Sequence, residues 1–191
     1  DKNAESLLLK VLRRYLARFD MLYIRDVLIT ILKELITNGV KANAKRFYFQ
    51  TSNLDITDPS DYAKGMVTFK ADVLHPGSDL LERLEETDHH VQISFESTET
   101  TLVIKVLNNI PIVEDELRKI RTRIEKAYVY NDITEAFAEV LDDSEGAGLG
   151  LIMAMMVFRN AGFDRKDFLI ENTPGDTVFG IRIAQRFDIR D

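Results

Sequence analysis

The chain has 191 residues, 45% hydrophobic and 30% charged, with a formal charge of −7. That is enough apolar material for one full core, and the acidic balance argues against a nucleic-acid partner. The absence of cysteine excludes a disulfide framework or thiolate metal site and is compatible with a reducing compartment.

Residues 4–19 read as a helix, because Leu8, Leu12, Tyr15 and Phe19 recur at four- and three-residue steps between basic side chains. Two turns of such a stripe fit a helix laid on its own domain, or a connector or homodimer seam. The domain division expected is therefore 1–22 and 23–191. A long helix is predicted over 24–42, with Ile24, Val27, Leu28, Ile31, Leu32 and Leu35 on one stripe. Residues 45–51 alternate and are rich in aromatics, so they read as a strand, as does 65–73 after a loop of turn formers. A turn at 76–79 leads to a short helix over 80–87. Strands at 90–97 and 101–108 form a hairpin, and 113–128 is an amphipathic helix. An acidic stretch, 131–144, precedes a helix over 149–161 that stops at Gly162. A second hairpin, 168–172 with 177–186, turns at Pro174-Gly175-Asp176. The expected fold is a two-layer α/β sandwich, a mixed sheet covered on one face by helices.

No apolar run approaches the ~18 residues of a membrane span, and no signal-peptide pattern opens the chain. No membrane contact is expected from this segment. The chain begins at Asp1 rather than Met. The expected location is the cytoplasm, with a longer protein of which this is the cytoplasmic part left open.

Two stretches carry chemistry. Gly146-Ala147-Gly148-Leu149-Gly150 precedes an apolar helix, the arrangement a phosphate cradle requires: bare amides, close approach and a helix N-terminus. On the long helix, Glu34, Asn38 and Lys41 follow at steps of four and three and form a polar edge beside the buried stripe, with Asn38 at its margin. An amide there needs a partner, since burial without one costs about 1–3 kcal/mol. A carboxylate one turn away could work with it on a magnesium ion, which needs few protein ligands when phosphates supply the rest.

The run Glu34-Leu35-Ile36-Thr37-Asn38-Gly39-Val40-Lys41 resembles the asparagine box of the histidine-kinase-like ATPases, a superfamily that includes sensor histidine kinases, gyrase, Hsp90 chaperones and mismatch-repair proteins. The glycine run and the strands around Gly175-Asp176-Thr177 resemble that family's second glycine box and closing strands. The resemblance covers roughly residue 24 to the end. It implies ATP and Mg²⁺ as ligands. It implies Glu34 as the carboxylate that activates water or orients the nucleophile, Asn38 as the Mg²⁺ ligand, and Lys41 as a base reaching phosphate. Gly146, Gly148 and Gly150, with Leu149 between them, would lie under the phosphates, and Thr177 near the adenine. Residues 112–145 would form a lid.

Three departures stand out. Where the family has an Asp followed by glycines, this chain has Asn108-Asn109-Ile110-Pro111. Asn108 still offers an acceptor to the adenine amino group, but without the charge that makes such a bond about twice as strong. The spacing from Asn38 to Asn108 is longer than the family's, with the excess in 53–88 expected to be a surface elaboration. No His lies in 1–74; His75, His89 and His90 read as surface residues, so a phosphoacceptor would lie upstream or on a partner. The expected function is the ATP-binding domain of a sensor-histidine-kinase-like signalling kinase, acting on a protein partner. The alternative is a degenerate, non-catalytic member that docks within a signalling complex.

Overall fold

The computed structural model describes residues 2–74, 79–140 and 148–184. Helix α1 (Lys2–Arg18) turns at Asp20, which takes the left-handed conformation (φ 56°), into the long helix α2 (Arg25–Thr51). Helices α3 (Pro59–Leu74) and α4 (Leu80–Glu85) precede strands β1 (Val91–Ser97) and β2 (Thr101–Asn108). Helices α5 (Glu114–Ala127), α6 (Ile133–Val140) and α7 (Leu149–Asn160) follow, then β3 (Phe168–Asn172) and β4 (Thr177–Ala184).

The four strands form one sheet in the order β1-β2-β4-β3, antiparallel at every pairing. The expected mixed sheet is thus corrected. β2 and β3 run the same way, but β4 lies between them, so no parallel pair forms. Along β2 alternate residues Leu102, Ile104, Val106 and Asn108 are buried, and in register with them on β4 lie Ile183, Ile181, Phe179 and Thr177. This face joins the helices in one core with Leu12, Leu16 and Phe19 of α1, Leu28, Ile31, Leu32 and Leu35 of α2, Ile124 of α5, and Ile152, Met155 and Phe158 of α7. The opposite face carries Lys105 paired to Glu96, with Glu171 and Arg182. The architecture is two layers, helices on one side of the sheet.

Of the α1 stripe, Leu12 and Phe19 are buried within this chain and Leu8 and Tyr15 are half-buried against the same core. Tyr15 stacks on Phe95 of β1 with ring centroids 5.2 Å apart. Lys33 of α2 pairs with Glu5. The stripe therefore packs on the same core as α2 and the sheet.

Two predicted strands are helical. Residues 45–51 continue α2, and 65–73 lie within α3. Three aromatics run consecutively in 45–51 because neighbours surround the helix: Tyr48 meets Phe69, Phe49 meets Tyr62, and the adjacent Ala44 joins Leu80 and Leu84 in a small second core. Seven residues with a central aromatic run do not distinguish the two periods. The helix start at Pro59 also had a signal. Asp58 Oδ1 accepts from the backbone N–H of Ser60 and Asp61, both at 2.9 Å, and Pro59 occupies the first helical position. At the other end of α2, Asn53 is left-handed (φ 52°) and the Leu54 N–H returns to Phe49 O at 3.0 Å, a helix stop that an Asn can make. Within the 53–88 excess, helices α3 and α4 brace the C-terminal part of α2.

Candidate functional site

Helix α2 carries the polar edge, with Glu34 and Asn38 half-buried. Asn38 Nδ2 donates to Glu34 Oε1 at 2.8 Å, one turn back. That bond fixes the amide and leaves its oxygen as the atom available to a cation. Helix α7 arrives from the other side. A Cβ built on Gly150 would fall on the Glu34 carboxylate, so the glycine is what lets the N-terminus of α7 approach the acid. Gly148 caps α7 with φ 132°, a conformation that side chains strain. The acid and Gly150 therefore meet, with Asn38 bonded to that acid, while Gly148 faces Arg123 of α5.

The sheet end closes a third side. A Cβ on Gly39 would lie 2.8 Å from Val91 Cγ2, so Gly39 allows α2 to press on β1. Its carbonyl accepts from Asn108 Nδ2 at 3.4 Å. Asn108 is 6% exposed, and its Oδ1 is buried with no hydrogen-bond partner among the described residues. Most buried polar atoms have partners, so this acceptor marks a place for a donor. Asn108 and Thr177 are paired across β2 and β4.

Thr177 is fully buried and its hydroxyl is committed. It donates toward Ile110 O or Asn172 Oδ1 and accepts from the Ile112 N–H. Asn172 also grips Ile112 on both sides, through its N–H and its carbonyl. Asn109 accepts from the His90 N–H and donates to Asp88 O. The segment after β2, which lacks glycines, is held by three side chains instead: Asn109, Asn172 and Thr177. Lys41 is exposed on α2, and Leu149 is half-buried against the core. Gly146 and the acidic run 141–145 lie outside the described residues, as do His75 and the turn at 76–78. His89 and His90 are engaged in local bonds before β1.

No family model and no solved structure matches the chain. It is similar to an uncharacterized protein of Treponema pallidum (strain Nichols), 32% identical over 168 residues. Those residues cover 88% of this chain and 33% of that protein, so the chain spans about a third of its relative's length.

Two features lay beyond the sequence reading. Arg123 of α5 lies against the glycine turn, where a Cβ on Gly148 would meet its Nε, Cδ and Cζ. It was one arginine among several on a charged helix; its place over a glycine only emerges with the fold. The other is Glu116, also on α5, which takes Lys45 Nζ and Arg46 Nη2 from α2, the latter at 2.6 Å. Desolvation, which alone would raise its pKa, is the largest influence on Glu116. The bond from Arg46, the charges of Lys45 and Arg46 and the bond from Lys45 together outweigh it and hold the carboxyl below its ordinary value.

The residues fit Mg·ATP on two observations: the orphaned Asn108 oxygen, and the Glu34–Asn38 pair set against the glycine-started helix α7. Among the described residues no group of three His, Asp or Glu side chains is placed to hold a metal. A cation here would rest on Asn38, phosphate oxygens and water. No described helix is long and apolar enough to cross a membrane.

Proposed function

We propose that this chain is an ATP-binding domain of the histidine-kinase-like ATPase kind, positioning Mg·ATP for transfer of its γ-phosphoryl group to a protein acceptor in a signalling pathway. The observation that carries the reading is the contact between Glu34 and Gly150, an acid against a glycine-started helix, with Asn38 bonded to that same acid. The antiparallel sheet with helices on one face is compatible with that family's sandwich.

The roles follow from chemistry. Glu34 orients or deprotonates the attacking hydroxyl, and Asn38 offers an amide oxygen to the metal. The amides at 148–150 and the α7 N-terminus face phosphate charge. Arg123 adds a guanidinium beside that turn, and Lys41 an ammonium on the open side of α2. Asn108 Oδ1 accepts from the adenine amino group, while Thr177 holds the adjoining loop. A bound Mg²⁺ would neutralise the phosphate oxygens. The protein's share in such transfer is positioning and charge neutralisation.

Thermal melting with and without Mg·ATP tests the reading. Binding raises stability by RT ln(1 + [L]/Kd), about 2.7 kcal/mol at a hundredfold excess over Kd. A second reading has its own support: the braced segment after β2 has neither the Asp nor the glycines of the family's first box, which suits a non-catalytic docking module. No melting shift at millimolar Mg·ATP would favour it and sink the first.

A further inference from the structure

Helix α5 is anchored at two points on one face. Glu116 and Arg123 are seven residues apart, two turns, so they project in nearly the same direction about 10 Å apart along the axis. Glu116 is clasped by Lys45 and Arg46 of α2, and Arg123 lies on the Gly148 turn. The clasp is largely shielded: Arg46 is 8% exposed, and the side chains of Lys45 and Glu116 are 15% and 19% exposed. It is also one anion against two cations, and Arg46 Nη1 is buried without a hydrogen-bond partner among the described residues. Removing Glu116 would leave two shielded cations facing each other, so the arrangement is not interchangeable with an apolar contact.

We infer that Glu116 is a positioning residue: held by Lys45 and Arg46, it fixes helix α5 along α2 and so sets Arg123 over the Gly148–Gly150 turn that receives the phosphates. Glu116 itself touches no part of the ligand. Its influence on nucleotide passes through α5 to Arg123. This rests on the nucleotide-binding reading above, but the clasp itself does not need nucleotide to be measured.

The chain has no cysteine, so introduced cysteines are clean label sites. Gln50 on α2 and Glu125 on α5 are both exposed. A spin-label pair at Gln50→Cys and Glu125→Cys reads the distance between the helices, and calorimetry reads Mg·ATP affinity. Glu116→Gln keeps the side-chain shape and leaves Leu117, Ile124 and Ala127, the buried contacts of α5, untouched. It is expected to broaden the α2–α5 distance distribution and to weaken Mg·ATP about tenfold, within the usual range of coupling between sites. Glu116→Asp, which keeps the charge, is expected to restore the narrow distribution and most of the affinity. Arg123→Gln should weaken Mg·ATP without broadening the distance, and Glu116→Gln should then add little further loss.

An unchanged distance in Glu116→Gln overturns the clasp, whatever nucleotide does. A broadened distance with unaltered affinity overturns the positioning role. A wild-type chain that binds no nucleotide while Glu116→Gln still broadens the distance sinks the nucleotide reading and leaves the clasp standing.

Discussion

Gly150 of α7 and Glu34 of α2 touch through a missing side chain: any Cβ at position 150 would land on the Glu34 carboxylate. Gly150→Ala is therefore expected to push the Glu34 carboxylate, the far end of a flexible side chain, off its bond with Asn38. Losing that bond costs about 0.5–1.5 kcal/mol, and Mg·ATP affinity should fall more than tenfold. In a Glu34→Ala background the same substitution should cost little stability. Melting of the four proteins in a double-mutant cycle checks this; equal costs in both backgrounds would mean that the two residues are not coupled.

Asn38 and Glu34 are bonded but are expected to fail differently. Asn38→Ala should make nucleotide binding insensitive to Mg²⁺, read by calorimetry with and without the metal. Glu34→Gln keeps an oxygen for the Asn38 amide, so affinity should stay within about threefold. Phosphoryl transfer should drop by roughly a hundredfold or more, the scale of a lost general base.

Asn108 makes a more pointed case. Its Nδ2 reaches the Gly39 carbonyl, and its Oδ1 has no partner. Asn108→Asp loses the donor and sets a carboxylate near a carbonyl, so melting without nucleotide should fall by the equivalent of about 1–3 kcal/mol. The upward shift on adding Mg·ATP should nevertheless be larger than in the wild type, because the adenine amino group then meets a charged acceptor. A smaller shift would remove Asn108 from the nucleotide contact.

These predictions draw on parts of the molecule that were unequally visible in the sequence. The α2 stripe, the β1–β2 and β3–β4 hairpins and the start of α7 were legible, because each is long, periodic or bounded by turn residues. The polar edge of Glu34 and Asn38 was legible for the same reason: helical spacing fixes which residues share a face. Residues 45–51 were not, since Phe47, Tyr48 and Phe49 are wrapped by α3 and α4 and so lose any single apolar face. Gly65 looked like a strand start; it is a helical glycine that makes way for the Phe49 ring. The sheet order was hidden because β4 inserts between two strands that run the same way. Arg123 and Glu116 were hidden because their partners, Gly148 and the Lys45–Arg46 pair, are brought to them only by tertiary packing.

The Glu116 clasp predicts an acid signature. Its folded pKa lies below the ordinary glutamate value. A depressed carboxylate stabilises the fold above its unfolded pKa, and that contribution is lost as pH falls through the lowered folded value. The wild type should therefore melt higher than Glu116→Gln near neutrality, and the gap should narrow below about pH 4.5. A gap constant from pH 7 to pH 3 would mean that the charge of Glu116 contributes nothing.

The central claim concerns where a triphosphate lies, and a crystal structure with Mg²⁺ and a non-hydrolysable ATP analogue measures that directly. Expected are phosphates against residues 148–150 and along the Glu34–Asn38 turn, the metal on the Asn38 amide oxygen, and the adenine amino group on Asn108 Oδ1. Nucleotide bound elsewhere on the chain, or a site still empty at saturating analogue, would contradict it.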